Sequence, residues 1–265
     1  MTGDDFIKGL RDGDLHRGGI RCLRLFRLEA AWFDTLRAEV VRLAGAETAS
    51  FAGDPGHVTR WTRPQGLVRQ FSLLNRSGRF EDFSADHDLS CLGKRFHSAP
   101  RFPALARLLA AFPHAVNFRI NTMAPRARLP PHEEHLLFRT RTGAVAMRLR
   151  CHLPVVTEPA AELMLDGEAH HLEPGVIHLV NHGCVHAASN GGRAERIHLV
   201  WDTLLTREAF ELLAGAAVPD FPATRIAPED RQLTPLRSER IGPFAALPPP
   251  VPPAEAGRID WCEVQ

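Results

Sequence analysis

The segment from Val116 to Asp202 consists of short runs in which apolar and polar residues alternate, with turn residues between the runs. A period of two is typical of half-buried β-strands. The dipeptides Asp166-Gly167 and Pro174-Gly175 favour tight turns between such strands. The segment therefore predicts a mainly β core.

Helical patterns flank this core. Apolar residues recur at helical spacing in 29–46 and in 101–112, and a further helical segment is expected at 207–214. A strand is expected at 20–28. We predict a flexible lead-in at 1–19, a single domain at 20–222 with its β core at about 116–202, and a Pro-rich C-terminal extension at 223–265, which contains LPPPVPP at 247–253.

Charge and cysteine content narrow the class of protein. The 265 residues include 32 basic and 31 acidic side chains, so the net charge of +1 predicts neither a nucleic-acid partner nor a membrane partner. The five cysteines are odd in number and contain no C-x-x-C pair, which argues against disulfides and a zinc ribbon. The polar, acidic N-terminus is unlike a signal peptide. We expect a cytoplasmic protein with reduced thiols.

Three of the expected strands carry an unusual polar face. One interpretation is that these faces contact water, as in many antiparallel sheets. Another is that they line an interior that binds a small dianion, because a guanidinium can hold a carboxylate through two hydrogen bonds. The faces comprise Asn117, Arg119 and Asn121; Arg148, Arg150 and His152; and Arg196, His198, Val200 and Asp202.

The sequence HEEH at 132–135 supplies candidate metal ligands. His132 and Glu134 are two residues apart, so an extended backbone points both side chains the same way. A second histidine from a distant strand would complete the two-histidine, one-carboxylate set of non-haem Fe(II) oxygenases. His186, which lies ten residues before Arg196, is our candidate.

These motifs resemble the aspartyl/asparaginyl β-hydroxylase family of dioxygenases, including the bacterial cis-proline hydroxylases. The resemblance extends over about 117–202. It rests on PPH at 130–132, on R-x-H-L-P at 150–154, and most specifically on H-x₉-R-I-H-L-V-x-D at 186–202.

The resemblance implies a fold, a chemistry and a set of residue roles. The fold would be a double-stranded β-helix (jelly roll, cupin-like) with flanking helices. The enzyme would use Fe(II), with 2-oxoglutarate and O₂ as cosubstrates, to hydroxylate a small molecule. His132 and His186 would bind iron, Arg196 would bind the distal carboxylate of 2-oxoglutarate, Arg150 and His152 would hold its other end or neighbouring ligands, and Asn121 would support the cosubstrate.

Two departures from the family pattern leave alternatives open. The free-amino-acid hydroxylases have H-x-D where this chain has H-x-E, so Glu134 is the predicted third ligand, with His135 or water as substitutes. The stretch 135–146 is longer than its counterpart, and its Arg139 and Arg141 are either a solvated loop or a substrate contact. We expect a free amino acid or a derivative as substrate. A peptide side chain, a cupin-like metalloenzyme without a keto acid and a non-catalytic acid-binding protein are the alternatives.

Overall fold

The computed structural model describes most of the β core and its flanking helices. The predicted lead-in, the stretch at 247–253 and most of 207–214 lie outside the described residues. The described residues are 21–46, 50–51, 65–86, 93–112, 114–132, 134, 137–140, 145–204, 209, 212, 221–226 and 261–263.

Strands predominate, as the alternating pattern predicts. The helix expected at 101–112 is divided, because Phe102 precedes a proline and adopts an extended φ of −137°, so that the α-helix begins at Pro103. The elements in chain order are β1 Cys22–Leu28, α1 Ala30–Ala46, β2 Ser50–Phe51, β3 Val68–Ser72, a 3₁₀ turn Ala99–Arg101, α2 Pro103–Ala110, β4 Ala115–Met123, β5 Arg128–His132, β6 Leu137–Thr140, β7 Val145–Val156, β8 Ala161–Leu165, β9 Glu168–His170, β10 Val176–Val180, β11 His186–Asn190, β12 Arg196–Leu204, β13 Ala223–Arg225 and β14 Trp261–Glu263.

The strands form two sheets that face each other. A ten-stranded sheet has the order β13-β1-β10-β7-β12-β4-β3-β2, with β6 and β14 attached to β7, and a four-stranded sheet has the order β5-β11-β8-β9. Val180 of the large sheet packs with Leu163 and Leu165 of the small one, and Met123 packs with Ala188. This arrangement confirms the jelly-roll prediction.

The hairpin between β8 and β9 forms at the dipeptide that the sequence marks as a turn. Asp166 and Gly167 both have positive φ, of 51° and 83°. Two successive positive φ values are characteristic of the tightest antiparallel hairpins, in which Asp-Gly is a favoured pair. The turn fixes the register in which Leu165 of β8 pairs with Glu168 of β9.

The two faces of the large sheet differ sharply in polarity. Its outer face carries Leu149, Cys151, Leu153, Leu199 and Trp201, which pack in the main apolar core beneath the two helices. Its inner face, which is directed towards the small sheet, carries the polar residues of β4, β7 and β12. The largest apolar cluster therefore lies outside the jelly roll, and the interior is left to charged and polar groups.

The helices are joined to each other by a buried carboxylate. Glu39 of α1 accepts hydrogen bonds from the backbone N–H groups of Ala104 (3.2 Å) and Leu105 (2.9 Å) at the start of α2. These N–H groups have no partner within their own helix, and a negative charge is favourable at this end. In the described part of the chain, no helix is long and apolar enough to cross a lipid bilayer.

Trp201 is the largest side chain of the outer core, and its loss should be costly. It is fully buried, stacks on Phe118 at 5.0 Å and meets the edge of Phe112 at 4.7 Å. We expect Trp201→Ala to lower the free energy of unfolding by about 3–5 kcal/mol, because it leaves a large cavity. Trp201→Phe should cost less than half as much. Urea unfolding measures both, and a loss below about 1 kcal/mol for Trp201→Ala would contradict this account of the core.

Candidate active site

Two histidines from remote parts of the sequence meet across one pair of strands. His132 ends β5 and His186 begins β11, and the two residues lie directly opposite each other in the antiparallel ladder. Their ring centroids are 4.1 Å apart. The small sheet thus brings together the imidazoles that the sequence analysis selected as iron ligands.

The same local hydrogen bond orients both imidazoles. Nδ1 of His132 contacts the carbonyl oxygen of Pro130 at 3.0 Å, and Nδ1 of His186 contacts that of Cys184 at 2.9 Å. A carbonyl oxygen only accepts, so each Nδ1 carries a hydrogen, and the neutral form of each ring has its lone pair at Nε2. A hydrogen bond of this kind is the usual support of a metal-binding histidine.

Glu134 completes a compact group of three donors. Its backbone N–H donates to the carbonyl oxygen of His182 at 3.1 Å, which holds the segment after β5 against the interior. Its Oε1 lies 3.8 Å from Nε2 of His132 and 3.7 Å from Nε2 of His186. The ligand atoms all lie within 4.8 Å of one another. Two imidazole nitrogens and one carboxylate oxygen fit a non-haem Fe(II) centre.

Two arginines of β7 donate hydrogen bonds to the Glu134 carboxylate. Arg150 donates to both carboxylate oxygens, and Arg148 donates to Oε2 at 3.2 Å. Burial opposes ionisation of Glu134, but the charge of Arg150 and the contacts with His132 and His186 hold its pKa well below the usual value. The carboxylate is therefore ionised, which is the form that binds a metal.

Arg150 is anchored in turn by Asp202. Its Nε and Nη2 donate to the two carboxylate oxygens of Asp202 at 2.8 and 2.9 Å. Asn117 donates to Asp202 Oδ2 at 2.7 Å and accepts from the Asp202 backbone N–H at 3.1 Å. Burial would raise the pKa of Asp202, but Arg150 and Arg148 keep that pKa far below its usual range.

Arg196 is a buried cation without an acidic partner among the described residues. It is 5% exposed, and its side-chain hydrogen bonds go to Met123 Sδ (3.1 Å) and His198 Nδ1 (2.8 Å). Because a guanidinium only donates, His198 must accept at Nδ1 and carry its hydrogen at Nε2. Burial lowers the pKa of Arg196 to about 10, a value at which it is still charged near neutrality.

The inner face around Arg196 carries buried polar atoms that have no partner among the described residues. These atoms are Nδ1 of His152, Oδ1 of Asn121, Nε2 of His198 and Nε of Arg196, all buried and unbonded within the described chain. Burial and the charges of Arg150 and Arg196 lower the pKa of His152 well below 6.5. Unsatisfied buried polar groups are rare in proteins and indicate a site for a polar ligand.

Several residues that contribute to this site were not predicted from the sequence. Arg148, Asn117 and Asp202 were assigned only to polar strand faces, and the period-two pattern was the one signal that pointed inwards. His182 is fully buried, and neither of its ring nitrogens has a partner in the described structure. Burial and the charges of Arg150 and Arg148 lower its pKa.

Of the candidate residues in the stretch 135–146, the structure describes the backbone position of Arg139. Arg139 belongs to β6, where it pairs with Val145 of β7. His135 and Arg141 lie outside the described residues. Their suggested roles as an alternative ligand and a substrate contact stay predictions.

A comparison with known proteins identifies the family of this chain. The family model described as aspartyl/asparaginyl beta-hydroxylase matches residues 69–205, about half of the chain. No curated protein sequence matches the chain. The chain therefore belongs to the aspartyl/asparaginyl β-hydroxylase family, which confirms the resemblance of the motifs. It is a 2-oxoglutarate-dependent dioxygenase of the hydroxylase type, with Fe(II) as its metal.

Solved structures of oxygenases are similar at low sequence identity. An oxidoreductase of the 2OG-Fe(II) oxygenase family from Burkholderia pseudomallei is 14% identical, with a TM-score of 0.47 and coverage of 76% of this chain and 89% of that one. A prolyl-4-hydroxylase from Pseudomonas putida is also 14% identical, with a TM-score of 0.43 and coverage of 76% and 98%. HygX from Streptomyces hygroscopicus, solved with nickel and 2-oxoglutarate, is 8% identical, with a TM-score of 0.41 and coverage of 69% and 82%.

The buried histidines of the interior should make folding sensitive to acid. Burial lowers the pKa of His178, on β10 opposite His152, to about 3, whereas an unfolded histidine titrates near 6.5. Between these values the unfolded chain binds more protons, so stability is full above about pH 6.5 and falls as the pH drops towards 3. We expect His178→Gln to reduce this fall by up to about 1.4 kcal/mol per pH unit. Urea unfolding at pH 7.5 and 5.5 measures it, and equal losses in both proteins would refute the assignment.

Proposed function

We propose that this protein hydroxylates a free amino acid or an amino-acid derivative, with His132, Glu134 and His186 holding the iron and Arg196 binding the distal carboxylate of 2-oxoglutarate. The observation that carries the proposal is the buried guanidinium of Arg196, which has no acidic partner among the described residues, in the same interior as a compact group of three metal donors. The guanidinium of Arg196 does not stabilise the fold by itself, because a buried charge without a counter-charge costs several kcal/mol. Together, this guanidinium and the donor group form a site for a metal and a dianion.

The donor group defines what the bound metal can do. When bound, Fe(II) supplies the oxidising chemistry that converts a substrate C–H to C–OH, while O₂ is consumed and 2-oxoglutarate yields succinate and CO₂. The protein contributes two neutral imidazoles and one carboxylate from the same side of the site. Such a set leaves the remaining positions of an octahedral ion for the cosubstrates.

The cosubstrate pocket follows from the unbonded polar atoms. Arg196 supplies the positive charge for the distal carboxylate, and the Nε2–H of His198 offers a second donor beside it. Asn121 pairs with His198 across β4 and β12, and the His152 ring lies 6.1 Å from that of His198, so we assign both residues to the cosubstrate. Burial excludes water from these hydrogen bonds, which strengthens charge-assisted pairs. The prediction that Arg150 also contacts the cosubstrate stays open to test, because in the structure its donors are engaged by Glu134 and Asp202.

The charge balance of the interior supports an acidic substrate. Among the described residues of the interior, the guanidinium groups of Arg148, Arg150 and Arg196 face the carboxylates of Glu134 and Asp202, which gives these described groups one excess positive charge. The charges of Fe(II) and of the 2-oxoglutarate dianion cancel, so the excess remains when both are bound. A substrate that carries one carboxylate, such as an amino acid, would neutralise it.

A peptide substrate is the main alternative. An aspartyl side chain would also bring a carboxylate, and the family's description includes such side chains. A metalloenzyme without a keto acid is less consistent with the structure, because it gives no role to the buried Arg196.

Metal binding and cosubstrate binding should be separable by mutation. We expect Arg196→Ala to weaken 2-oxoglutarate binding at least tenfold while Mn²⁺ still binds, because a charged hydrogen-bonding partner is lost from a buried pair. His186→Ala should abolish Mn²⁺ binding, because only two of the three donors remain. Calorimetry with Mn²⁺, followed by 2-oxoglutarate, measures both.

Arg193 offers a matched control for this experiment. It lies on the same segment before β12 but is exposed, so Arg193→Ala should leave both affinities unchanged. Unaltered 2-oxoglutarate affinity in Arg196→Ala would remove this residue from the cosubstrate site. Full metal affinity in His186→Ala would refute the metal site itself.

The substrate class can be tested by succinate release. We expect the Fe(II)-loaded enzyme to release succinate above its uncoupled background with one or more free amino acids or their N-acyl derivatives. Peptides that contain internal aspartate or asparagine should stay at background, because the proposed substrate is a small molecule. Mass spectrometry should show a gain of one oxygen atom in the small molecule. Turnover with peptides alone would favour the alternative, and succinate-independent turnover would exclude a keto-acid mechanism.

A further inference from the structure

We propose that Arg150, fixed by Asp202, is a positioning residue that makes Glu134 a one-oxygen metal ligand. The proposal rests on the function proposed above, because it assigns a role to groups that act through one of the three metal donors. It concerns a chain of contacts that runs from Asn117 through Asp202 and Arg150 to Glu134.

The two carboxylate oxygens of Glu134 have different surroundings. Oε1 lies between the imidazoles, 3.8 and 3.7 Å from the two Nε2 atoms. Oε1 also accepts one hydrogen bond from Nη1 of Arg150, whereas Oε2 accepts two, from Nη2 of Arg150 at 2.6 Å and from Arg148 at 3.2 Å. Both lone pairs of Oε2 are therefore engaged by guanidinium groups, whereas Oε1 keeps a lone pair for the position between the imidazoles.

The guanidinium group of Arg150 is held rigidly by its hydrogen bonds. Nη1 and Nη2 donate to Glu134, and Nε and Nη2 donate to Asp202, so the planar guanidinium is held along two edges. Asp202 is fully buried and is itself held by two hydrogen bonds with Asn117. Three adjacent strands of the large sheet, β4, β12 and β7, thus fix the direction from which Glu134 is held.

The consequence for the metal concerns the number of free positions. When cations already engage the second oxygen of a carboxylate, binding of a metal ion through both oxygens is unfavourable. A one-oxygen ligand leaves three positions of an octahedral ion available, as a bidentate keto acid and O₂ require. Removing partners that orient a ligand in this way typically weakens metal binding by roughly ten- to a hundredfold.

A double-mutant cycle with the apoprotein tests the proposal. We expect Asp202→Asn and Glu134→Gln each to weaken Mn²⁺ binding about tenfold or more, measured by calorimetry or by the EPR signal of free Mn²⁺. In the Glu134→Gln background, Asp202→Asn should add less than about a twofold loss, because its effect passes through the carboxylate. The absorption bands of bound Co²⁺ should change in Asp202→Asn as well.

The chain offers a matched control in a second buried ion pair. Asp86 pairs with Arg119 of β4 and accepts from the Ser72 hydroxyl at 3.2 Å, so it is equally buried but is not connected to Glu134. Asp86→Asn should lower the melting temperature while leaving Mn²⁺ affinity and the Co²⁺ spectrum unchanged. A purely structural role of Asp202 predicts the same behaviour for both variants.

Each outcome of the cycle is informative. An unchanged Mn²⁺ affinity in Asp202→Asn, or an equal loss with and without Glu134, would overturn the proposal while the metal site stands. Retained binding in His186→Ala would instead overturn the proposed function. If circular dichroism shows that Asp202→Asn is unfolded, Arg150→Lys decides the question, because it keeps the charge but loses the two-edged geometry. Its Mn²⁺ affinity should fall in the same Glu134-dependent manner, and an unchanged affinity would refute the role.

Discussion

The ion pairs of Arg150 are the contacts on which the interior depends. One guanidinium joins Asp202, in the middle of the large sheet, to Glu134, on the segment that leaves the small sheet. Removing either carboxylate would leave a buried charge without its counterpart, a change that is strongly destabilising. The polar interior is therefore a connected network, and its members have to be considered together.

The position of the apolar core makes this polar interior possible. Trp201, Phe118 and Leu36 are fully buried in the cluster between the large sheet and the helices. Because that cluster stabilises the fold from outside the jelly roll, the inner faces are free to carry arginines, histidines and acids. The sheet itself separates the two environments, since alternate residues of β7 and β12 point to opposite sides.

Local patterns predicted much of the fold and part of the site. The period-two alternation of β7 and β12 identified which residues share a face, and the motifs at 130–132 and 186–202 selected His132, His186 and Arg196. The pairing partners were not predictable in the same way. Asp202 contacts Arg150 across 52 positions and Asn117 across 85, and strand order alone decides such contacts. The strand β3 was also missed, because its five residues, VRQFS, carry little periodic signal.

The hydrogen bonds that orient the two histidines have a different range from those that hold the carboxylate. Each imidazole is fixed by a carbonyl only two residues before it in the chain, whereas Glu134 is fixed by an arginine 16 residues away that itself depends on distant partners. The two histidines are therefore oriented by local contacts, and Glu134 is oriented by tertiary contacts. When the two sheets loosen, the donor set would pass from three ligands to two, and the histidine pair would be the last part to lose its form.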